Sequence, residues 1–183
     1  MECFMGFEAD PGTLAAARGG DRQAFRALID SLAKEVYNMA YRVTFNEADA
    51  NDLSQEVFVT LFRNLGRYDP ERPFAPWFRR VVTNTAINYR KRQRPQRVLP
   101  DSLASDEPAV EGLTPDEVQH LENALKQLPA EYRLVVGYYY YQGLELVDIA
   151  AAMQVPVGTV KTWLFRAREA LKERLEKRFG ARA

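Results

Sequence analysis

Residues 144–179, LELVDIAAAMQVPVGTVKTWLFRAREALKERLEKRF, leave a chain of this kind few folds to choose from. They read as two helices joined by a tight turn. Leu146, Ile149 and Met153 give the first helix an apolar edge at i, i+3 and i+7. Val155-Pro156 breaks it, and Pro156 suits the first position of a new helix, where its missing N–H would have no partner anyway. Val157, Val160, Leu164, Ala167, Leu171 and Leu175 then recur at helical spacing and anchor the second helix. The other face carries Thr159, Thr162, Arg166 and Glu169, flanked by Lys161 and Phe165. A short helix, a turn and a longer helix with hydroxyls and cations near its start form the helix-turn-helix pattern, whose second helix reads base edges in the major groove. A plain helical hairpin of an all-α domain is the other reading of this stretch. The turn position, Gln154, requires a backbone that Gly or Asn adopts more cheaply.

The rest of the chain also reads as helix, with no strand-period segment and no internal repeat. Asp21 is a plausible N-cap for an amphipathic helix running to residue 43, with Phe25, Leu28, Ile29, Leu32, Val36, Met39, Ala40 and Val43 on its inner face. The leader before it carries at most a short helix at 13–18, ended by Gly19-Gly20. A helix at 47–65 follows, with Ala50, Leu53, Val57, Leu61 and Leu65 inside. Its acidic flank, Asp49, Asp52 and Glu56 beside Gln55, is either a solvated face or a docking surface for a basic partner. A third helix spans about 74–94. Phe74, Trp77, Phe78 and Val81 turn inward at its start, and Arg79, Thr83 and Arg90 lie opposite. Asn84 and Asn88 share a face, as buried amides or as the lining of a pocket for a base.

Residues 96–113 are rich in Pro, Ser and acid without apolar period, which predicts a flexible linker. Thr114 and Glu117 form a capping box for the next helix, with Val118, Leu121, Ala124, Leu125 and Leu128 inside. A helix over 129–142 follows, closed by Gly143, with Tyr132, Val135, Val136 and Tyr139 packing on the helix-turn-helix. The expected fold is all-α: two small helical domains joined by a flexible linker, residues 1–95 and 114–183, the second holding the helix-turn-helix.

Charge supports nucleic acid as a ligand once it is divided. The whole chain is neutral, but residues 74–97 have 7 basic and no acidic residues, and 138–183 have 8 basic and 5 acidic. Residues 1–73 (8 basic, 12 acidic) and 98–137 (2 basic, 8 acidic) carry the compensating acid. Local fields decide phosphate binding. A single cysteine, Cys3, and a single histidine, His120, exclude an internal disulfide and a Cys/His metal cluster. No catalytic constellation and no P-loop occurs, so neither an enzyme nor a cofactor or small-molecule substrate is expected. No apolar run reaches the ~18 residues of a membrane span, and no basic leader is visible, which predicts a cytoplasmic protein.

Three motifs then carry a resemblance. DANDLSQEVFVTLFRNL at 49–65, PFAPWFRRVVTNTAINYRKR at 73–92 and the segment 128–175 containing VPVGTVKTWLFRARE occur in one order. Together they resemble the sigma-70 family of RNA polymerase sigma factors, in its extracytoplasmic-function group, over about residues 12–178. The resemblance implies a promoter-specific transcription initiation factor that binds core RNA polymerase (β′ clamp, β flap) and reads −10 and −35 elements. Asp49, Asp52, Gln55 and Glu56 would dock on polymerase. Trp77, Phe78, Arg79, Arg80, Asn84, Thr85, Asn88, Arg90 and Lys91 would engage the −10 DNA. Thr159, Lys161, Thr162, Phe165 and Arg166 would read the −35 element. The resemblance also implies a monomer when free, and an anti-sigma factor as a partner that could hold the protein at the membrane. Residues 96–113 would thread toward the polymerase active site. Three positions depart from the family pattern: Gln154 for Gly, Trp163 for a basic residue, and Asn88 for Asp. A conventional helix-turn-helix regulator, dimeric on a palindromic site, is the alternative.

Overall fold

A computed structural model describes residues 7–92 and 114–179. The expected linker, Arg94 and Arg97 of the first basic island, and Cys3 lie outside the described residues. Those residues hold eight α-helices and no strand: α1 Pro11–Arg18, α2 Arg22–Thr44, α3 Glu47–Asn64, α4 Phe74–Arg92, α5 Pro115–Lys126, α6 Ala130–Val136, α7 Leu146–Met153 and α8 Val157–Phe179.

Local chemistry sets most of the boundaries. Asp21 caps α2, its carboxylate accepting from the N–H groups of Gln23 (2.8 Å) and Ala24 (3.1 Å). Asn46 does the same for α3, accepting from Asp49 N–H at 2.9 Å. The capping box of α5 is complete. Glu117 N–H donates to the Thr114 hydroxyl at 3.3 Å, and Thr114 N–H donates to the Glu117 carboxylate at 2.7 Å. Pro156 sits one residue earlier than expected, as the residue whose carbonyl accepts the first bonds of α8, from Thr159 and Val160.

Three expectations change. The leader is part of the fold: α1 starts at Pro11, two residues before the expected start, with Asp10 as its cap, and Phe7 is fully buried. The helix expected over 129–142 is not uniform. After Val136 it widens into a π-turn over Gly137–Tyr141, in which Gln142 N–H reaches back to Gly137 O at 3.3 Å. It ends at Gly143, where φ is +62°. Thr83, expected on an outward face, is wholly buried.

Helices α1–α4 form one bundle, α2 packing on α1 and α3, and α3 on α4. Helices α5–α8 form another, in which α8 packs on α5, α6 and α7. The two are not separate beads. Helix α4 packs along α7, and α6 meets both α2 and α4, so one apolar cluster runs from Phe7 through Leu53 and Tyr138 to Ala167. Thr83 is buried because it lies in this seam.

The turn between α7 and α8 has a conformational cost. Gln154 stands in the left-handed region at φ 56°, ψ 42°, one of two non-glycine residues with positive φ among the described residues. A side chain there is disfavoured by about 1 kcal/mol. Gln154→Gly should therefore stabilise the protein by about 0.5–1 kcal/mol. Urea unfolding of the two forms checks the sign, and a less stable Gln154→Gly protein would show that the glutamine contacts outweigh the strain.

Candidate nucleic-acid interface

Helix α4 has three faces. Phe74, Phe78, Val82 and Ala86, each four residues apart, are buried in the first bundle. Around them the aromatic side chains lock together. Phe78 meets Phe74 in a stack at 5.3 Å and Phe7 edge-on at 5.0 Å, while half-buried Trp77 lies 5.1 Å from Tyr68. The second face, with Thr83, lies in the seam. The third is open: Arg80, Asn84, Asn88 and Lys91 follow one another at helical spacing and are all exposed. The reading of Asn84 and Asn88 as buried amides is therefore overturned. Two amides between two cations on one helix edge can hydrogen-bond base edges and phosphates together.

The structure divides the nine residues expected at the −10 DNA. Arg80, Asn84, Asn88 and Lys91 share the open edge. Trp77, Arg79 and Arg90 are half-buried. Phe78 (0 % exposed) and Thr85 (5 %) are inside, and the Thr85 hydroxyl donates to Val81 O at 2.8 Å. Neither offers surface to a DNA strand in this conformation. The helical spacing of α4 turns Phe78 inward, and Phe7 and Phe74 close around it.

On α8, Val160, Leu164 and Ala167 are buried, and Lys161, Thr162, Phe165 and Arg166 project outward. Phe165 is 63 % exposed, a large apolar ring left in water. Thr159 is half-buried, and the Thr162 hydroxyl donates to Gly158 O at 2.9 Å. The face therefore joins a hydroxyl, two cations and an aromatic ring within two turns. Trp163 is half-buried 6.4 Å from Tyr132, so it braces α8 against α6 rather than extending that face. The four tyrosines diverge. Tyr138 enters the seam, Tyr139 and Tyr140 lie under Arg168, and Tyr141 lies under Arg42 of α2.

The acidic flank of α3 also divides. Asp49 accepts a hydrogen bond from Tyr89 (3.2 Å), and Glu56 pairs with Arg92, so both are engaged with α4. Asp52 and Gln55 are exposed. The same face continues with Val59 (46 % exposed) and Phe62 (69 %), giving a stripe at 52, 55, 59 and 62. Sequence reasoning passed over Val59 and Phe62. The available signal was their place off the buried stripe of α3, where much of each side chain stays in water although Phe62 meets Phe25 edge-on at 5.2 Å.

The seam joins these surfaces. The Thr83 and Tyr138 hydroxyls are bonded at 2.6 Å with both residues fully buried, and Tyr138 OH also lies 3.4 Å from Arg79 O. Burial pushes the Tyr138 phenol up to about 12. At the rim, the Asn84 amide donates to Gln154 Oε1 at 3.4 Å, so the open edge of α4 abuts the turn of the helix-turn-helix.

Two family models match the chain: Sigma-70 region 2 over residues 28–96 and Sigma-70 region 4 over residues 119–171. The chain is 32% identical over 170 residues to the ECF RNA polymerase sigma factor SigW of Bacillus subtilis, covering 85% of this chain and 91% of that protein. It is 30% identical over 171 residues to the ECF RNA polymerase sigma-E factor of Escherichia coli, covering 86% and 89%. Among solved structures, CnrH in complex with the cytosolic domain of CnrY has the same fold, with a TM-score of 0.66 and 24% identity over 93% of this chain and 99% of that one. The sigma factor RpoE of Bartonella quintana, solved with the anti-sigma factor NepR, gives a TM-score of 0.64 and 24% identity over 83% and 96%.

Proposed function

Because the chain belongs to the sigma-70 family of RNA polymerase sigma factors, in its extracytoplasmic-function group, we propose specific roles for the surfaces described above. Residues 1–95 bind core polymerase and the −10 DNA, 96–113 connect, and 114–183 read the −35 element. The open edge of α4 engages the −10 strand through Arg80, Asn84, Asn88 and Lys91. The outer face of α8 reads the −35 element through Lys161, Thr162, Phe165 and Arg166. Asp52, Gln55, Val59 and Phe62 dock on polymerase, the apolar pair supplying the area and the polar pair the orientation. Phe78 and Thr85 act through the core that holds α4 straight. An anti-sigma factor is the expected regulator, in keeping with such partners on proteins of the same fold.

The observation that carries this reading is the pairing of two reading surfaces on one chain, each with its own family-model match. On this reading the described conformation is a closed one. The −10 and −35 elements lie about 25 base pairs apart, about 85 Å at 3.4 Å per step. Packed helices such as α4 and α7 have axes about 8–10 Å apart. Both elements cannot be read until the seam opens, so free protein should bind promoter DNA weakly and core polymerase should supply the open form.

Run-off transcription from a pool of promoter fragments, with core polymerase and with or without the protein, tests the assignment. Transcripts should appear only with it. Asn84→Ala and Arg166→Ala should each lower them about tenfold or more, since one base contact is worth about 1–3 kcal/mol. Both residues are exposed, so thermal unfolding should not move. Transcripts indifferent to both substitutions would overturn the two reading faces. Tight, specific binding by the chain without polymerase would favour a conventional regulator.

A further inference from the structure

Between the C-terminal end of α2 and the pair α5–α6 lies a cavity of about 50 Å³. One water takes about 10–15 Å³ on this scale, so the space is that of about three to five waters, enough for an acid of a few heavy atoms. Its walls are mostly apolar, with Phe45 from the first bundle and Leu121 and Val136 from the second. One polar feature stands out. Arg133 of α6 lines the cavity, is 4 % exposed, and its Nε–H has no hydrogen-bond partner.

A buried guanidinium needs an anion, and the surroundings do not provide one for that nitrogen. The rest of the charge at the site is mostly positive. Arg133 lies 5.8 Å from the Phe45 ring centre and Lys126 5.9 Å from the same ring, while Arg42 stacks on Tyr141 at 3.9 Å. Arg90 adds further positive field at Arg133, Glu131 a weaker opposing one. The carboxylate that lines the cavity, Glu122, pairs with Lys126 at 4.0 Å. Burial draws the Arg133 guanidinium down to about 10, which leaves it charged at neutral pH.

We propose that this cavity binds a small organic acid, a single carboxylate on a compact apolar body, and that the ligand clamps the seam shut. The carboxylate meets Arg133 Nε, and the body lies against Phe45 and Leu121. Inorganic phosphate lacks the apolar part, and a neutral isostere leaves the guanidinium unpaired. Since the walls come from both bundles, occupancy exists only in the closed form. Closure is then favoured by a factor of 1 + [L]/Kd. Activity would fall as the acid accumulates, a control distinct from a protein inhibitor.

Calorimetric titration of the full chain with propionate tests this, with 1-propanol and inorganic phosphate as controls. Propionate should bind saturably, with a Kd of about a millimolar for five heavy atoms. 1-Propanol should bind about tenfold more weakly or worse, and so should propionate to Arg133→Gln, because a charge-assisted hydrogen bond is lost. Leu121→Trp fills the cavity from the α5 wall without touching the cation and should abolish binding, which keeps the test sharp if Arg133→Gln is poorly folded. Förster transfer between dyes on α3 and α8 should rise with propionate in the wild type alone. No saturable binding, binding that survives Leu121→Trp, or phosphate bound as well as propionate would each overturn the proposal. Polymerase takes no part in these measurements, so their outcome is independent of the transcription assay.

Discussion

Phe78→Ala should cost the protein about 3–5 kcal/mol and melt the first bundle, rather than remove a DNA contact. The ring is 0 % exposed and held between Phe7 and Phe74, so truncation leaves a cavity that three helices and the leader would have to collapse around. Against a typical domain stability of about 5–15 kcal/mol, that is about a fifth of the total or more. Urea unfolding followed by the fluorescence of neighbouring Trp77 measures it directly. Asn84→Ala, two turns along the same helix but exposed, should leave the midpoint in place. A folded Phe78→Ala protein within 1 kcal/mol of wild type that nonetheless fails to open promoters would mean that the ring leaves the core to reach DNA.

The second large effect belongs to the seam. Tyr138→Phe strips the hydroxyl from a fully buried pair and leaves Thr83 without its 2.6 Å partner. An unsatisfied buried hydroxyl costs about 1–3 kcal/mol, which is a five- to 150-fold shift from closed to open. Adding Thr83→Val should recover part of that loss, because both polar groups are then gone. The coupling in the double-mutant cycle should reach about 1 kcal/mol. The dye pair across the seam measures it, and additive effects would show that the two hydroxyls do not act as a unit. The same bond gives a pH limit. The free phenol ionises near 10 and the buried one near 12. The buried state therefore holds its proton more tightly, so closure is fully stabilised below pH 10 and weakens as pH rises from 10 through 12. Near neutrality it is insensitive to pH.

Much of this was legible in the letters. Asp21, Thr114 with Glu117, Gly143 and Gln154 mark their boundaries because capping is a local matter of a few atoms within four residues. The exposed polar edges of α4 and α8 were legible for the same reason, since each presents cations and polar side chains at helical spacing. What was not legible depends on distant partners. Thr83 reads as an outward polar residue until the second bundle covers it. The four tyrosines of 138–141 give no hint that a widened turn will send one of them into the seam. Phe7 sits in an acidic, glycine-bearing leader with no periodicity around it, so its burial follows only from Phe78, which meets it across the fold.

That last contact has a consequence for how the protein is made. Phe7 leaves the ribosome before Phe78, its ring partner at 5.0 Å, which is synthesised roughly 70 residues later. At about 5–20 residues per second, the leader waits roughly 4–14 seconds before the site that receives it exists. Helices α1 to α3 must hold together loosely through that interval, and they become a finished bundle only when α4 arrives. The helix proposed to touch the promoter is thus also the last piece of its own scaffold, so a nascent chain cannot present a reading edge before the body behind it is complete.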